Sequence, residues 1–291
     1  MASLKDIKGR ISSVKSTLKI TSAMKLVASA KLRKAQSAIE NMLPYQQKLQ
    51  QMLAELLSVV GSADNRYTEE GKKEAKVALV VISSNSSLCG GFNTNVIKEA
   101  LARIAELKKE SRDIVVYSVG KKASDAMRKA GYPSPEDLNE LVAHQSYEKS
   151  SALASHLVDG FLSGKYSKVE MVYTHFVSTS TQVVQRAQYL PMTMDSAAVV
   201  SVHAKSEEDF IIEPTAEEML SSLLPRALAL KVYTVILDSS AAEHAARTVA
   251  MQTATDNGEN ILQELTLEYN KGRQQKITAE ILDLVGGSAQ Q

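Results

Sequence analysis

The sequence predicts a long antiparallel two-helix coiled coil, formed by the two ends of the chain, with a Rossmann-like α/β domain between them. The first 60 residues carry an apolar stripe of period 3.5, the middle alternates short apolar runs with helical patterns, and the last third is helical again. Only another helix covers a stripe that narrow and that long. We place the first helix in residues 1–62, the α/β domain in 63–213 and the second helix in 214–291.

The first helix is predicted from Leu4 to Val60. At about 1.5 Å per residue it would be roughly 85 Å long. Ser3 and Asp6 have the spacing of a capping box, and Pro44 is expected to kink the helix without ending it. Two seven-residue series form its stripe: Ile7, Val14, Thr21, Ala28, Ala35, Met42, Leu49, Leu56, and Ile11, Leu18, Lys25, Leu32, Ile39, Gln46, Leu53, Val60.

The central region has the pattern of a parallel α/β unit, because strand-like apolar runs alternate with helical spacing. The last two strands are joined by the Ser/Thr-rich turn 178–181. The stretches 132–147 and 197–208 have no pattern that predicts an element. The predicted strands are 77–82, 114–119, 169–176 and 182–190, and the predicted helices are 95–109, 121–130 and 150–163.

The second long helix is predicted from Pro214 to Val285, with Thr215 and Glu218 as its capping box. Asn257-Gly258 also favours a hairpin turn, but the apolar spacing around it favours helix. Because the chain enters and leaves the central domain close together, the two long helices must run antiparallel. The stripe of the second helix is Leu220, Leu224, Ala227, Lys231, Thr234, Leu237, Ala241, Ala245 and Thr248.

Composition excludes several classes of function. The 291 residues are 44% hydrophobic and contain 34 basic and 33 acidic side chains, so the whole chain has no strong attraction to nucleic acid or anionic lipid. Residues 1–39 carry nine basic side chains against one acidic, and residues 215–291 carry six against ten, so the two helices have complementary charge. The lysines are interleaved with the stripe, unlike those of a basic zipper. No run approaches the ~18 apolar residues of a spanning helix.

The stretch from Ser83 to Asn95 is a candidate phosphate loop, because Gly90 and Gly91 lie between a predicted strand and a predicted helix. Its spacing matches neither GxGxxG nor GxxxxGK[ST], so a glycine turn is favoured and a nucleotide-binding enzyme is kept as an alternative. The single cysteine, Cys89, has no adjacent base and is interpreted as a structural thiol. The five histidines lack metal-ligand spacing. No catalytic residue, metal or cofactor is predicted.

Four segments resemble the gamma subunit family of F-type ATP synthases. They are RISSVKSTLKITSAMKLVASAKLRKAQ at 10–36, LCGGFNTN at 88–95, and EHAARTVAMQTATDN at 243–257 with ELTLEYNKGRQ at 264–274. The resemblance covers essentially the whole chain and supports a helix at Asn257-Gly258. Residues 83–87 lack the charged residues usual in the family, which affects only a turn. The lone cysteine excludes the paired-thiol insert of the chloroplast members.

The resemblance implies a mechanical function. In this family the coiled coil is the rotor shaft inside a hexamer of alternating alpha and beta subunits. The α/β domain is a foot that meets the epsilon subunit and the membrane ring of c subunits. The chain would then be present once per complex, bind neither nucleotide nor nucleic acid, catalyse nothing itself, and lie on the cytoplasmic face of the bacterial plasma membrane. A coiled-coil adaptor is a second alternative.

The resemblance also implies contact sites. Beta-subunit contacts are expected at Met24, Lys25, Arg273 and Gln274, and the Lys25 ammonium is expected to lean out of the stripe into solvent. The lengths of the helices predict that roughly 14 residues of the second, about 20 Å, extend past the first. That apolar end implies a sleeve supplied by another protein, which in the family is a bearing. The contact with the c-ring and epsilon is expected at Phe210, Ile212 and Glu213, and the bearing tip at Ile277, Ile281, Leu284 and Val285.

Overall fold

The computed structural model describes residues 3–60, 66–69, 71–72, 74–192 and 213–288, without the side chains of 57–60 and 283–288. The predicted terminal helices and central α/β region are confirmed. A short helix lies in the stretch 132–147, where no element was predicted. In chain order the elements are α1 (Leu4–Val60), β1 (Lys76–Ile82), α2 (Phe92–Lys109), β2 (Ile114–Val119), α3 (Lys121–Lys129), α4 (Glu140–Ala143), α5 (Tyr147–Leu162), β3 (Tyr166–Phe176), β4 (Gln182–Leu190) and α6 (Ala216–Ser288).

The chain divides into two compact units, each of which takes part of both long helices. Ala30–Ala246 form the first, called the sheet unit, and 1–29 with 247–291 form the second, called the helix-end unit. Helix α1 continues through Pro44, as predicted, and α6 continues through Pro225 and Asn257-Gly258.

The sheet unit contains a four-stranded sheet in the order β2-β1-β3-β4. Strand β1 pairs in parallel with β2 and with β3, and β4 pairs antiparallel to β3. Ser178 and Thr181 close the turn between β3 and β4, where the Thr181 amide donates to the Ser178 Oγ at 3.1 Å. The parallel prediction therefore holds for three strands. The fourth is antiparallel because so short a turn leaves no room for a crossover.

Helices cover both faces of the sheet. Leu79 and Val81 of β1 pack on the side of α2 and α3, and Ala78, Val80 and Ile82 pack on the side of α5 and α6. Successive side chains of a strand point to opposite faces. Because β1 is buried on both, its sequence is a continuous apolar run rather than an alternating one.

A network of charged side chains joins α2 to β3 and β4. Arg103 donates from Nε and Nη2 to the two carboxylate oxygens of Glu170, at 2.7 and 2.8 Å, and Lys168 pairs with the same carboxylate at 2.8 Å. Arg186 reaches Glu106 at 2.6 Å. Glu170 is only 6% exposed. Burial acts to raise the pKa of Glu170, but the hydrogen bonds and charges of Arg103 and Lys168 outweigh it and hold that pKa below its ordinary value.

One stretch of α6 has the length and composition of a membrane-spanning helix, an 18-residue window of mean hydropathy 1.4 within Ala216–Leu282. No such run was expected from the sequence. Half of the window is buried inside the protein, as in an ordinary core helix, so composition alone is weak evidence for a membrane segment. The run is this apolar because, in the sheet unit, α6 packs on both α1 and the sheet.

Replacing Glu170 with Gln should lower the free energy of unfolding by about 1.5–3 kcal/mol at pH 7, because charged hydrogen bonds inside the network are lost. The lowered pKa gives wild type a stability contribution that is present above the glutamate pKa of the unfolded chain and disappears as pH falls through the folded one. The free energies of unfolding of the wild type and the variant should therefore converge in acid. Urea unfolding followed by circular dichroism at pH 7 and at lower pH measures this. Glu259→Gln, at an exposed position, is the control, and a difference independent of pH would contradict the assignment.

Candidate functional site: the paired terminal helices

In the helix-end unit, α1 and α6 pack antiparallel along the predicted stripe. Leu18 lies against Gly258 and Leu4 against Gly272, so residue numbers along α6 decrease as those along α1 increase. The capping box at the start of α1 is confirmed, since the Asp6 amide donates to the Ser3 Oγ at 3.2 Å.

Glycines on α6 let the two helices approach closely. A Cβ on Gly258 would stand 2.7 Å from the Leu18 Cδ2, and one on Gly272 would stand 3.1 Å from the Leu4 Cδ2. Both leucines therefore sit in notches that a larger residue would fill. Gly9 on α1 is different, because a Cβ there would meet nothing within 4 Å.

A polar layer interrupts the apolar contact. The Thr21 and Thr255 hydroxyls lie 2.9 Å apart, and the Lys25 Nζ donates to the Gln252 Oε1 across the helix pair. The expectation that Lys25 leans into solvent is wrong, because Gln252 offers an amide oxygen on the facing helix. A polar group within an apolar stripe commonly fixes register at some cost in stability.

The turn that carries Met24 and Lys25 also has an exposed apolar face. Met24 and Lys25 are half-buried, whereas Ile20 is 59% exposed, Leu26 70% and Val27 57%. The sequence analysis missed these three residues. Their signal was available, since they are large apolar side chains on the helix that fall outside both seven-residue series.

The end of α6 runs beyond the start of α1. Helix α1 begins at Leu4, opposite Gly272, and α6 continues to Ser288. Ile277 is 47% exposed, Ile281 54% and Leu282 64%. Arg273 and Gln274 are exposed as well, and Leu284 and Val285 lie in the helix, although their side chains are outside the described part. The predicted overhang is present and its described apolar side chains are uncovered in this chain.

The predicted foot contact is described only at Glu213, which is exposed. Phe210 and Ile212 lie outside the described residues. The predicted capping box follows, and one of its two hydrogen bonds is confirmed: the Glu218 amide donates to the Thr215 Oγ1 at 3.2 Å.

In the sheet unit, α1 and α6 continue their antiparallel contact. Leucines pack together near the end of α1, and small residues pack with Leu32 further along. Lys231, which was predicted on the stripe, is exposed, and its Nζ donates to the Gln188 carbonyl of β4 at 3.2 Å. The two clusters include Leu49, Leu53, Leu56, Leu220 and Leu224, and Leu32, Ala35, Ala241 and Ala245.

Asp238 of α6 holds the end of β3. Its Oδ1 accepts from the Phe176 amide at 3.0 Å, and its Oδ2 lies 2.7 Å from the His175 Nδ1. Phe176 packs between the helix pair and the loop after β1. The sequence analysis treated His175 as one of five scattered histidines. The available signal was the carboxylate at 238, directly after the apolar run Val235–Leu237.

Residues 83–91 form the turn of the predicted stretch Ser83 to Asn95, and its last four residues are the first turn of α2. Leu88 and Gly90 have φ of 67° and 58°, and the Asn93 Oδ1 accepts from the Ser84 amide at 3.0 Å. Cys89 is 1% exposed, which agrees with a structural thiol. Polar groups of this loop therefore bond to one another and hold the loop closed. Within the described part of the chain, no group of three or more His, Cys, Asp or Glu side chains could hold a metal.

Gly9→Ala should raise the free energy of unfolding by about 1 kcal/mol, because alanine favours helix and nothing obstructs its Cβ. Gly258→Ala should give no such gain, because the new methyl displaces Leu18 from its notch. In a Leu18→Ala background the gain should return. Thermal unfolding of the full chain measures all three, and equal stabilisation at both glycines would contradict the close packing at Gly258.

Comparisons with known proteins agree with this architecture. A profile of the family described as ATP synthase matches residues 3–290. The ATP synthase gamma chain of Bacteroides thetaiotaomicron is 47% identical over 299 residues, covering 100% of both chains. That of Bacteroides fragilis (strain YCH46) is 48% identical over 289 residues, covering 99% of both.

Two solved structures have a similar fold. A chain in the central stalk and c-ring of Tetrahymena thermophila mitochondrial ATP synthase matches with TM-score 0.57 and 27% identity, over 81% of this chain and 99% of that one. A chain of Euglena gracilis mitochondrial ATP synthase matches with TM-score 0.61, over 98% and 93%, but at 20% identity it supports the fold alone. Taken with the full-length relatives, the match over 3–290 places this chain in the ATP synthase gamma chain family.

Proposed function

We propose that this chain is the central rotor subunit of a bacterial proton-translocating ATP synthase and carries torque between the membrane c-ring and the catalytic beta subunits. The observation that carries the proposal is the end of α6, where an antiparallel helix pair gives way to a single helix with exposed Ile277 and Ile281. An apolar end of this kind needs a sleeve from another protein. A bearing inside a ring of subunits supplies one.

The partners follow from this role. The chain is present once per complex, inside an alpha–beta hexamer, and its sheet domain meets the epsilon subunit and the c-ring. It is non-catalytic, takes no cofactor and binds neither nucleotide nor nucleic acid directly. It lies peripherally on the cytoplasmic face of the plasma membrane. Co-purification of the alpha and beta subunits with the tagged chain tests the assignment, and its failure in cells that make all the subunits would remove it.

The domain boundaries 1–62, 63–213 and 214–291 belong to the same proposal, with 63–213 as the foot. Phe210, Ile212 and Glu213 are its contact with epsilon and the c-ring. Glu213 is exposed just before α6, which leaves its carboxylate accessible to a partner.

Torque passes from the foot to the helices through packed side chains. In the sheet unit, α6 contributes Leu228 and Ile236 to the core beneath the sheet and Leu224 to the contact with α1. Asp238 adds two polar links to the end of β3. A dense core transmits strain because its side chains cannot rearrange freely. Within the sheet unit, packed side chains rather than a linker therefore couple the sheet to its part of the helix pair.

The alternatives fit less well. A nucleotide-binding enzyme needs backbone amides aimed at a ligand in the loop after β1, and there the Ser84 amide is already bonded to Asn93. A coiled-coil adaptor does not explain why α6 takes part in the sheet core.

Met24→Lys should slow ATP synthesis that depends on rotation. This turn is proposed to face an acidic beta-subunit loop, and one added ion pair of about 1 kcal/mol would slow each release by roughly fivefold. Ser22→Lys adds the same charge about 200° around the helix and is the control. Coupled synthesis in membrane vesicles, measured beside proton pumping, gives the readout. Normal synthesis by Met24→Lys would show that the turn faces elsewhere.

Arg273→Ala combined with Gln274→Ala should impair rotation-coupled ATPase activity by about tenfold or more, since a guanidinium pairs bidentately with a carboxylate. Lys276→Ala, on the same exposed segment, is the matched control. Trimming the chain after Ile281 should weaken assembly more than torque, because it removes apolar surface from the bearing. Recovery of the complex and its ATPase rate separate these effects, and full activity in the double variant would remove the contact.

A further inference from the structure

A cavity of about 570 Å³ lies in the sheet unit, next to the loop that follows β1. Its walls come from α1, residues 85 and 86, the segment 142–146 at the end of α4, and α6. Small-molecule sites commonly have volumes of about 300–1,000 Å³. The rotor function proposed above makes no use of this cavity.

The position of the cavity is the usual ligand position of an open α/β sheet. The chain leaves β1 for β2 on one side and returns to β3 on the other, so the strand order reverses at β1. Ligands bind outside the carboxyl ends of the strands at such a reversal. Asn85 is fixed there, because its side chain donates to the Asn139 carbonyl at 2.9 Å and accepts from the Lys121 amide at 2.9 Å.

Basic groups outnumber acidic ones around the cavity. Lys31 and Lys34 are one turn apart on α1 and exposed, and His144 and His244 add two imidazoles. The carboxylate that opposes them is Glu243, which is 6% exposed. Two lysines on one wall suit a group that carries more than one negative charge, and lysine binds phosphate as a point charge.

The remaining surface is partly apolar and well anchored. Ala38, Val142 and Leu237 line the cavity between the polar groups. The Gln145 Nε2 donates to the Ser240 Oγ at 2.6 Å, which ties the segment 142–146 to α6. A ligand here would meet both charged and apolar side chains.

We propose that this cavity binds a small organic phosphate, with the phosphate at Lys31 and Lys34 and the organic body against Ala38, Val142 and Leu237. The bound ligand joins α1, the segment 142–146 and α6 within the sheet unit. The proposal rests on the cavity and not on the rotor function, so either can fail without the other.

Binding of phenyl phosphate, inorganic phosphate and phenol distinguishes the contribution of the lysines from that of the apolar side chains. Ligand-observed NMR and thermal shift on the full chain should show saturable binding of phenyl phosphate that is tighter than that of either fragment. Lys31→Gln with Lys34→Gln should weaken it at least about tenfold. Lys8→Gln with Lys19→Gln removes the same charge from exposed positions of α1 outside the cavity and should leave binding unchanged.

A second variant tests the apolar wall without altering charge. Ala38→Met fills the cavity, so it should weaken phenyl phosphate and leave inorganic phosphate unaffected. The proposal is overturned if phenyl phosphate does not saturate at millimolar concentration, if phenol binds as tightly, or if both lysine pairs weaken binding equally. The last result would mean general charge attraction.

Discussion

The fold depends on one constraint, the need to cover a narrow apolar stripe that runs the length of α1. All fifteen stripe positions whose side chains are described are buried or half-buried. Helix α6 packs on α1 in each compact unit: Leu18 lies against Gly258 in the helix-end unit, and Leu32 shares a buried cluster with Ala245 in the sheet unit. In the sequence, the strands of the sheet are therefore inserted between the two helices that pack on each other.

Helix α6 meets this constraint and a second one in the sheet unit, where it also covers a face of the sheet. This double contact explains why the helix is apolar on more than one side and why Lys231 turns outward to the Gln188 carbonyl. It also explains Asp238, a carboxylate at the border between the two contacts, which accepts from the end of β3. The same helix thus belongs both to the core beneath the sheet and to the contact with α1.

Sequence periodicity predicted the helices and strands, whose patterns depend on residues close together in the chain. The bounds of α1 and β4 were predicted correctly, because β-branched runs and a 3.5 period are properties of neighbouring residues. The predicted β3 began three residues too late. The sequence could not place Lys25, because its partner Gln252 lies 227 residues away and has no spacing signal. His175 with Asp238 and the cavity beside β1 were missed for the same reason. Each forms from separate segments that only the folded chain brings together.

The polar layer has a consequence for how the chain folds. Thr21 and Thr255 are 234 residues apart, and closing so long a flexible loop would cost about 5 kcal/mol in chain entropy. In a folded sheet unit Leu32 and Ala245 belong to one buried cluster, so only about 20 residues of chain remain to be closed and the cost falls by about 2 kcal/mol. During synthesis, however, the amino-terminal stripe emerges first, and its start stays uncovered until α6 has left the ribosome as far as Gly272.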